Sequence, residues 1–422
     1  MGPIGRRGFV AGTALAALSA ADAVGAPGAA GLDRADMTAS IRNKRKAASE
    51  FRGMWLATIA NVDWPSSPGL TADRQRAELR AHLDMAVERR LNSVILQVRP
   101  SADALWPSPH EPWAECLTGV QGRDPGWDPL GTAVEEAHKR GLELHAWFNP
   151  YRVANHTDLS RLTTTHPARR NPRWIVTYGG KLYYNPGLPE VRRFVQDAML
   201  DAVRRYDIDA VHWDDYFYPY PVAGEVFDDD DAYEEYGGDF ASRAAWRRNN
   251  VDLLVSETAA RIKEIDAQQI FGISPFGIWR NVFTDPAGSD TPMGFQSYDD
   301  LYADSRKWIR EGWIDYVIPQ LYWNIGFATA DYATLVPWWD AVVRGTGVDL
   351  YIGEALYKCG DLTQTTAWQD PQELSRHLTL ADDYAGVGGH CFFSASQVTS
   401  DRIGAMAAVV ADHYPTAVLP PR

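Results

Sequence analysis

Two adjacent aspartates at the end of an apolar segment are the residues of this chain best suited to acid–base chemistry. Asp214 and Asp215 follow the segment Ile208-Asp-Ala-Val-His-Trp213 and precede the aromatic run Tyr216-Phe-Tyr218. A carboxyl group acts as a general acid when it is protonated, and as a base or nucleophile when it is ionised. Because two neighbouring carboxylates repel each other, the pKa of one of them should be raised. The pair therefore predicts a site that holds both a proton donor and a charged carboxylate.

Eight repeats of a strand followed by a helix would position these carboxyl groups. Each repeat is a short run rich in Val, Ile, Leu or aromatic residues that ends in a polar loop and leads into an amphipathic stretch. The predicted strands are 51–58, 93–99, 142–149, 208–214, 270–275, 314–321, 348–354 and 388–394. Eight such units predict an α/β fold with a parallel sheet closed into one (β/α)8 barrel over residues 51–414. A doubly wound sheet is the alternative, but no Gly-x-Gly-x-x-Gly motif follows the first strand.

Two helices are visible in the apolar spacing. Apolar residues from Val191 to Val203 fall on one helical face, and Pro189 precedes them at a favoured first-turn position. A second stripe consists of Leu79, Leu83, Val87 and Leu91.

The long loops 99–126, 150–188, 216–238 and 276–298 all follow strands. In a (β/α)8 barrel such loops form the catalytic face.

The alternation of side chains along each strand predicts which residues point into the barrel. Strand residues face the interior and the helix layer in turn, and the apolar set should face the helices. The expected inward residues are Gln97, Arg99, His145, Trp147, Asn149, His212, Asp214, Ser274, Gln320, Tyr322, Ile352, Glu354, His390 and Ser394. Asp214 and Glu354 would then face one another in a cavity lined with Trp and Tyr, as glycoside hydrolysis requires. The alternative is that these acids neutralise Arg99 and the histidines in a structural network.

The composition limits the classes of partner and cofactor. The 422 residues carry a net charge of −14, so no basic face is available for nucleic acid. The chain has 16 Trp and 19 Tyr, rings that stack on sugars and also fill large cores. The three cysteines, Cys116, Cys359 and Cys391, form neither a disulfide framework nor a zinc-ligand spacing. The inward histidines are either metal ligands or a hydrogen-bonded lining, and we predict no metal and no cofactor.

The first residues resemble an export signal. Arg6 and Arg7 form a twin-arginine signature, which is followed by an apolar run over 10–21 and small residues at 21–23. The apolar run is too short for a permanent membrane span. We therefore expect a twin-arginine signal over residues 1–30, a linker over 31–50 and a tail over 415–422, with a mature protein that has no transmembrane segment. The protein should act outside the cytoplasmic membrane, in the periplasm, the cell wall or the medium.

Several motifs resemble those of the glycosyl-hydrolase-like family ten, a family of bacterial envelope barrels. Besides the segment that contains the aspartate pair, the matching motifs are Phe51-Arg-Gly-Met-Trp-Leu-Ala-Thr58, Arg99-Pro-Ser-Ala-Asp-Ala-Leu-Trp-Pro107, His145-Ala-Trp-Phe-Asn-Pro-Tyr-Arg152, Ile273-Ser-Pro-Phe-Gly-Ile-Trp-Arg280, Pro319-Gln-Leu-Tyr-Trp323 and Tyr351-Ile-Gly353. They keep their order over nearly all of residues 51–400. The resemblance implies a hydrolase that cuts peptidoglycan glycan strands, notably those stripped of stem peptides, with β-1,4-linked N-acetylhexosamine as the substrate class.

The motifs and the inward positions together give the expected site. Asp214 is the expected nucleophile or base for water, and Asp215 would hold a sugar hydroxyl or orient Asp214. Glu354 is the provisional general acid, with Asp215, Asp103 and Asp285 as alternatives. The expected substrate-binding residues are Arg99, Trp106, His145, Asn149, Tyr151, Arg152, His212, Tyr216, Trp279, Gln320, Tyr322 and Trp323.

Two other functions remain compatible with the sequence. A glycosidase or transglycosylase acting on another exopolysaccharide would use the same pair of carboxyl groups. A non-catalytic carbohydrate-binding barrel would use the same aromatic cleft without needing an acid of raised pKa. The sequence fixes neither the bond cleaved nor the stereochemical outcome nor the oligomeric state.

Overall fold

A closed barrel of eight parallel strands forms the centre of the protein, as a computed structural model shows. The structure describes residues 49–421. The strands, in chain order, are β1 (Phe51–Leu56), β2 (Ser93–Arg99), β3 (Glu143–Phe148), β4 (Arg152–Ala154), β5 (Ile175–Tyr178), β6 (Lys181–Tyr184), β7 (Ala210–Trp213), β8 (Ile270–Ile273), β9 (Tyr316–Val317), β10 (Asp349–Glu354) and β11 (Val387–Phe393). Around the barrel the order is β1, β11, β10, β9, β8, β7, β3, β2. The predicted (β/α)8 fold is therefore confirmed, and each predicted strand overlaps an observed one.

Helices between the strands form the outer layer. They are α1 (Ala72–Glu88), α2 (Glu115–Thr118), α3 (Pro129–Lys139), α4 (Pro167–Arg170), α5 (Pro189–Arg205), α6 (Asp230–Tyr236), α7 (Arg243–Ile265), α8 (Ser297–Asp300), α9 (Ser305–Arg310), α10 (Tyr332–Val343), α11 (Glu373–Ala381), α12 (Ala395–Ser400) and α13 (Ala405–His413). In α5 the buried face includes Val191, Val195 and Val203, as the spacing predicts, and the proline lies at the first turn. In α1 the stripe is shorter than predicted, because Val87 is 45% exposed and the helix ends before Leu91.

The loop after β3 contains a small sheet that the sequence does not reveal. Strands β4, β6 and β5 form this sheet, and all its pairings are antiparallel. The expected export signal and most of the expected linker lie outside the described residues, whereas Ser49 bridges to Leu419 near the other end of the chain. Within residues 49–421, no helix has the length and apolar character that crossing a membrane requires.

Two strands place their side chains opposite to the prediction. The ring of Tyr351 in β10 packs inside the barrel against Phe51, and Cys391 and Phe393 of β11 belong to the same interior cluster. Ile352, Glu354 and His390, on the opposite parity of these strands, face the helix layer instead. The expectation that these three residues point inward is therefore wrong. Ser394 lies one position after the inward Phe393 and donates a hydrogen bond to Asp63 (2.6 Å).

Candidate active site

A cavity of about 260 Å³ opens at the end of the barrel where the strands terminate. Its lining consists of Trp55, Ala57, Ile59, Val62, Gln97, Trp147, Arg152, Asp214, Asp215, Tyr216, Ser274, Gln320, Tyr322, Tyr357 and Phe393. These residues come from four barrel strands, β1, β2, β3 and β11, and from loops that follow β1, β3, β7, β8, β9 and β10. In (β/α)8 enzymes this face carries the catalytic residues.

Asp214 is held by donors from the neighbouring strand β3 and the loop after it. Its Oδ2 accepts hydrogen bonds from Asn149 Nδ2 (2.6 Å) and Trp147 Nε1 (3.1 Å), and its Oδ1 accepts one from the Tyr216 backbone N–H (3.1 Å). Burial raises the pKa of Asp214, while the positive charge of Arg152 and these donors act in the opposite direction. Each of these interactions favours the ionised carboxylate and fixes its orientation.

Asp215 lies beside this carboxylate, but fewer interactions stabilise its ionised form. Its Oδ2 accepts a hydrogen bond from the Tyr220 hydroxyl, and the side chain of Gln320 contributes a second interaction. Burial and the adjacent charge of Asp214 raise the pKa of Asp215 to about 7. At neutral pH a large fraction of Asp215 therefore carries a proton, which is the state a general acid needs.

Six of the fifteen predicted site residues meet in this cavity. Those that line it are Asp214, Asp215, Arg152, Tyr216, Gln320 and Tyr322. The guanidinium of Arg152 lies 5.2 Å from the centre of the Tyr216 ring and donates to the Pro100 carbonyl (2.9 Å). The cavity therefore combines a cation, two carboxyl groups and several aromatic rings.

Three predicted residues lie behind or beneath the cavity wall. Asn149 is buried between Asp214 and Gln97, whose amide donates to its Oδ1 (2.6 Å). His145 and His212 point inward as expected, but each is buried in the barrel and contacts the Tyr316 hydroxyl through Nδ1 (3.0 and 2.9 Å). Burial lowers the pKa of His212 well below its usual value. These side chains support the cavity rather than line it.

Other predicted substrate-binding residues are placed elsewhere because they have structural partners. Arg99 forms a buried ion pair with Glu111 of the following loop (2.5 Å), next to an irregularity in the pairing of β2 with β3. Two predicted tryptophans also have structural partners for their indole N–H groups. Trp106 donates to Asp201 (2.8 Å), and Trp279 donates to Asp304 (2.9 Å).

Tyr151 and Trp323 also lie outside the cavity lining. Tyr151 is fully buried in the main core, and burial raises its pKa. Trp323 packs edge-on against Phe276, with the ring centres 5.5 Å apart. Tyr151, with no exposed surface, is not in a position to contact a sugar bound beside Asp214.

Glu354 differs most from its predicted position. Its carboxylate has no exposed surface and accepts hydrogen bonds from the Tyr332 hydroxyl (2.8 Å), His377 Nδ1 (2.8 Å) and His390 Nδ1 (3.0 Å). Burial alone would raise the pKa of Glu354, but the two histidines outweigh it and lower the pKa to about 2. A carboxylate with this pKa keeps its charge at neutral pH, so the geometry does not support Glu354 as a proton donor.

The two loop aspartates that were the alternatives to Glu354 as the general acid also lie outside the cavity that contains Asp214. Asp103 lines a separate cavity on the same face of the barrel. Asp285 pairs with Arg280 (3.2 Å), and a hydrogen bond from the Ala287 backbone N–H lowers its pKa. Of the four carboxyl groups considered for the acid, Asp215 alone shares the cavity with Asp214.

Several lining residues were missing from the predicted site. Strand alternation places Trp147, Gln97 and Ser274 inward but assigns no role to them. The alternating series Phe51, Gly53, Trp55 and Ala57 could have placed Trp55 inward, but the other face of β1 also carries apolar residues, Met54 and Leu56, so the rule is ambiguous there. No sequence signal indicated Val62, Tyr357 or Phe393, because loops and the misread strand β11 bring them to the cavity.

This arrangement suits the cleavage of a bond between two sugars. Such cleavage needs a proton donor for the leaving oxygen, together with a carboxylate that attacks carbon or activates water. Aromatic walls can stack on the faces of sugar rings. Within residues 49–421, no group of three or more His, Cys, Asp or Glu side chains is arranged to hold a metal ion.

The solved structures of several glycoside hydrolases share this fold. The glycoside hydrolase domain of PgaB from Bordetella bronchiseptica aligns with 86% of this chain and 99% of its own, at a TM-score of 0.53 and 13% identity. The catalytic domain of a β-amylase from Paenibacillus polymyxa aligns with 88% of this chain and 99% of its own, at a TM-score of 0.52 and 11% identity. At these identities the likeness concerns the barrel itself.

Similarity in sequence is much higher to two curated bacterial proteins. Glycosyl hydrolase YngK of Bacillus subtilis is 48% identical over 375 residues, which cover 88% of this chain and 73% of that protein. Glycosyl hydrolase DigH of Escherichia coli K12 is 39% identical over 369 residues, which cover 83% of this chain and 84% of that protein. The family model described as glycosyl hydrolase-like 10 matches residues 50–370. This glycoside hydrolase therefore belongs to the glycosyl hydrolase-like 10 family.

Proposed function

We propose that this protein is an exported enzyme that hydrolyses the glycan strands of bacterial peptidoglycan, preferentially strands without stem peptides. The bond cleaved would join β-1,4-linked N-acetylhexosamine units. The observation that carries the proposal is the pair Asp214 and Asp215, two buried carboxyl groups in one aromatic cavity, whose surroundings favour different protonation states. Environments that separate the pKa values of two neighbouring acids assign an acid and a base.

In the proposed reaction, Asp215 gives its proton to the glycosidic oxygen of the leaving sugar. Asp214 remains ionised and either attacks the anomeric carbon or deprotonates the water that attacks it. Arg152 and Asn149 keep Asp214 charged and oriented throughout. The anomeric configuration of the first product distinguishes the two roles of Asp214, because a covalent intermediate retains the configuration and direct attack by water inverts it.

The substrate class rests on the cavity walls and on the beginning of the chain. Trp55, Trp147, Tyr216, Tyr322 and Tyr357 give the cavity ring surfaces that suit sugar faces. The twin-arginine signature at Arg6 and Arg7 supports export to the compartment that contains peptidoglycan. The motifs shared with envelope hydrolases support glycan strands stripped of peptides as the preferred form.

The test is an assay of new reducing ends on purified, peptide-free glycan strands. Wild-type protein should release them, whereas Asp214→Asn and Asp215→Asn should each lower turnover by roughly 100-fold or more, since acid–base or covalent catalysis is lost. Both variants should keep the wild-type melting temperature and still bind the strands. Asp285→Asn is the matched control, because this carboxylate lies on the same face but outside the cavity.

The assay also separates the alternatives. Activity only on another polysaccharide of a test panel would overturn the proposed substrate but keep the carboxyl pair. Binding of glycan without new reducing ends would favour a non-catalytic barrel. If Asp214→Asn kept more than about a tenth of wild-type turnover, the assignment of its role would be wrong.

A further inference from the structure

A second, larger cavity lies on the same face of the barrel as the catalytic one. It has a volume of about 660 Å³ and is formed by residues after β1, β2 and β3. Ile59 lines both cavities. Arg152 of the catalytic cavity also donates to the carbonyl of Pro100, which lines the second (2.9 Å). The two cavities are therefore neighbours along one surface.

The catalytic cavity is small for the proposed ligand. Its volume of about 260 Å³ lies below the roughly 300–1,000 Å³ typical of sites for small molecules, whereas the second cavity lies within that range. A glycan strand that is cleaved beside Asp214 must continue across the neighbouring surface in at least one direction. The second cavity is a concave continuation of suitable size.

The second cavity contains polar groups whose hydrogen-bonding capacity is not fully used. Ser101 is only 9% exposed, and its hydroxyl has no hydrogen-bond partner in the described structure. Asp103 beside it accepts backbone N–H groups of Ser101 and Glu115 (both 3.2 Å), and burial raises its pKa to about 7. A buried hydroxyl without a partner costs free energy unless a ligand or water pairs with it. Ser101 and Asp103 both lie in the wall of the second cavity, so a polar ligand bound there could supply that partner.

The charges of the lining identify the chemical class of that ligand. Asp103 and Glu115 are acidic, and the exposed Arg161 supplies a positive charge near His156. The pKa of Asp103 near 7 lets its carboxyl group donate or accept a hydrogen bond at neutral pH. A lining of mixed sign with both donors and acceptors fits a hydroxyl-rich sugar chain, and Arg161 offers a cation for a carboxylate that such a chain carries.

We propose that this second cavity is a distal sugar subsite, which binds units of the same glycan strand beyond the ones at the cleavage point. The inference rests on the proposed function, because it assigns the cavity to that enzyme's own substrate. It implies that the enzyme prefers long strands over short oligomers. A strand that fills both cavities gains the contacts of the second without a separate loss of translational freedom.

The experiment measures the affinity of glycan oligomers of increasing length by calorimetry, in the inactive Asp214→Asn protein. Val120, 45% exposed and part of the second cavity's lining, is replaced by Trp to fill the cavity, and Ser101→Ala removes the unpaired hydroxyl. Val282→Trp is the matched control, since Val282 is 39% exposed on another loop. The probes are a disaccharide, a tetrasaccharide and longer oligomers of peptide-stripped peptidoglycan glycan.

The protein that carries Asp214→Asn alone should bind longer glycan oligomers more tightly than shorter ones. Adding Val120→Trp to this protein should abolish most of that increase in affinity. We expect a loss of about tenfold or more for the longest oligomer and less than about twofold for the disaccharide, with a smaller loss in Ser101→Ala. An affinity that does not rise with length, or that Val120→Trp weakens equally for all lengths, overturns the subsite alone. Binding of no oligomer at all overturns the subsite together with the proposed substrate.

Discussion

Replacing Tyr220 with phenylalanine should move the alkaline limb of the pH–activity profile to higher pH. The Tyr220 hydroxyl donates to Oδ2 of Asp215, and this hydrogen bond lowers the pKa of that carboxyl group from the value that burial alone would give. Phenylalanine keeps the ring, which stacks on Phe295 with the centres 5.0 Å apart, and removes only the donor. The variant therefore isolates one contribution to the proton affinity of the proposed acid.

The size of the shift follows from the energy of one hydrogen bond to a charged group. Such a bond contributes about 1.5–3 kcal/mol, and 1.36 kcal/mol corresponds to one pKa unit. The pKa of Asp215 should rise from about 7 by roughly one to two units in Tyr220→Phe. The proposed acid must be protonated to act, so activity in both proteins falls as the pH rises through this pKa. The variant should therefore stay active at pH values where wild type has lost activity.

The assay is kcat/KM as a function of pH, because this ratio reports the ionisations of the free enzyme. Tyr357→Phe is the control, since Tyr357 lines the same cavity and its pKa is raised by burial alone. Tyr357→Phe should change the affinity for the glycan and leave the alkaline limb of the pH–activity profile at its wild-type pH. If Tyr220→Phe leaves the limb unmoved or shifts it to lower pH, Asp215 is not the acid whose ionisation limits the reaction.

Two further predictions concern stability and export. Glu354→Gln should lower the free energy of unfolding at pH 7 by about 3 kcal/mol in urea titrations, because the folded protein lowers the pKa of Glu354 from 4.5 to about 2. The wild-type advantage should be complete above pH 4.5 and vanish as the pH falls through about 2; an equal difference at every pH would contradict the ionic explanation. Replacing Arg6 and Arg7 by Lys should leave the precursor inside the cell, as fractionation and immunoblotting would reveal, and unchanged export would exclude the twin-arginine route.

The barrel could be predicted because its signal is repeated eight times. Alternating apolar and polar residues in strands such as β3 correctly placed Trp147 inward, because the opposite parity is uniformly apolar and must face the helices. The rule failed in β10, where a charged residue faces the helix layer. Glu354 is tolerated there because His377 and Tyr332 come from distant helices to pair with it. No local sequence pattern around Glu354 indicates those partners.

The site was harder to predict than the fold because loops complete it. Arg99 was expected to bind substrate, but Glu111 of the following loop neutralises it. Phe393 and Tyr357 enter the cavity from β11 and the loop after β10, segments in which neither spacing nor charge suggested a role. A pattern of residues along one strand fixes the direction of a side chain, whereas a partner from a loop depends on the three-dimensional path of that loop.

The end of β7 explains why two consecutive residues can share one cavity. Neighbouring residues within a strand point to opposite faces, but β7 ends at Trp213, so Asp214 and Asp215 are not bound by that alternation. The chain turns there and brings both carboxyl groups to the mouth of the barrel. Each is then held from a different side, Asp214 by Asn149 and Asp215 by Tyr220.

In the proposed mechanism, this difference in partners separates the roles of two chemically identical carboxyl groups. Asp214 has two side-chain N–H donors and a backbone N–H, and a nearby guanidinium also favours its charge. Asp215 has a hydroxyl and an amide, and it faces the negative charge of its neighbour. Ionising Asp214 first therefore makes ionisation of Asp215 harder, so the pair holds one proton over the pH range between the two ionisations. In that range the cavity contains one acid and one carboxylate, which is the state that glycosidic cleavage needs.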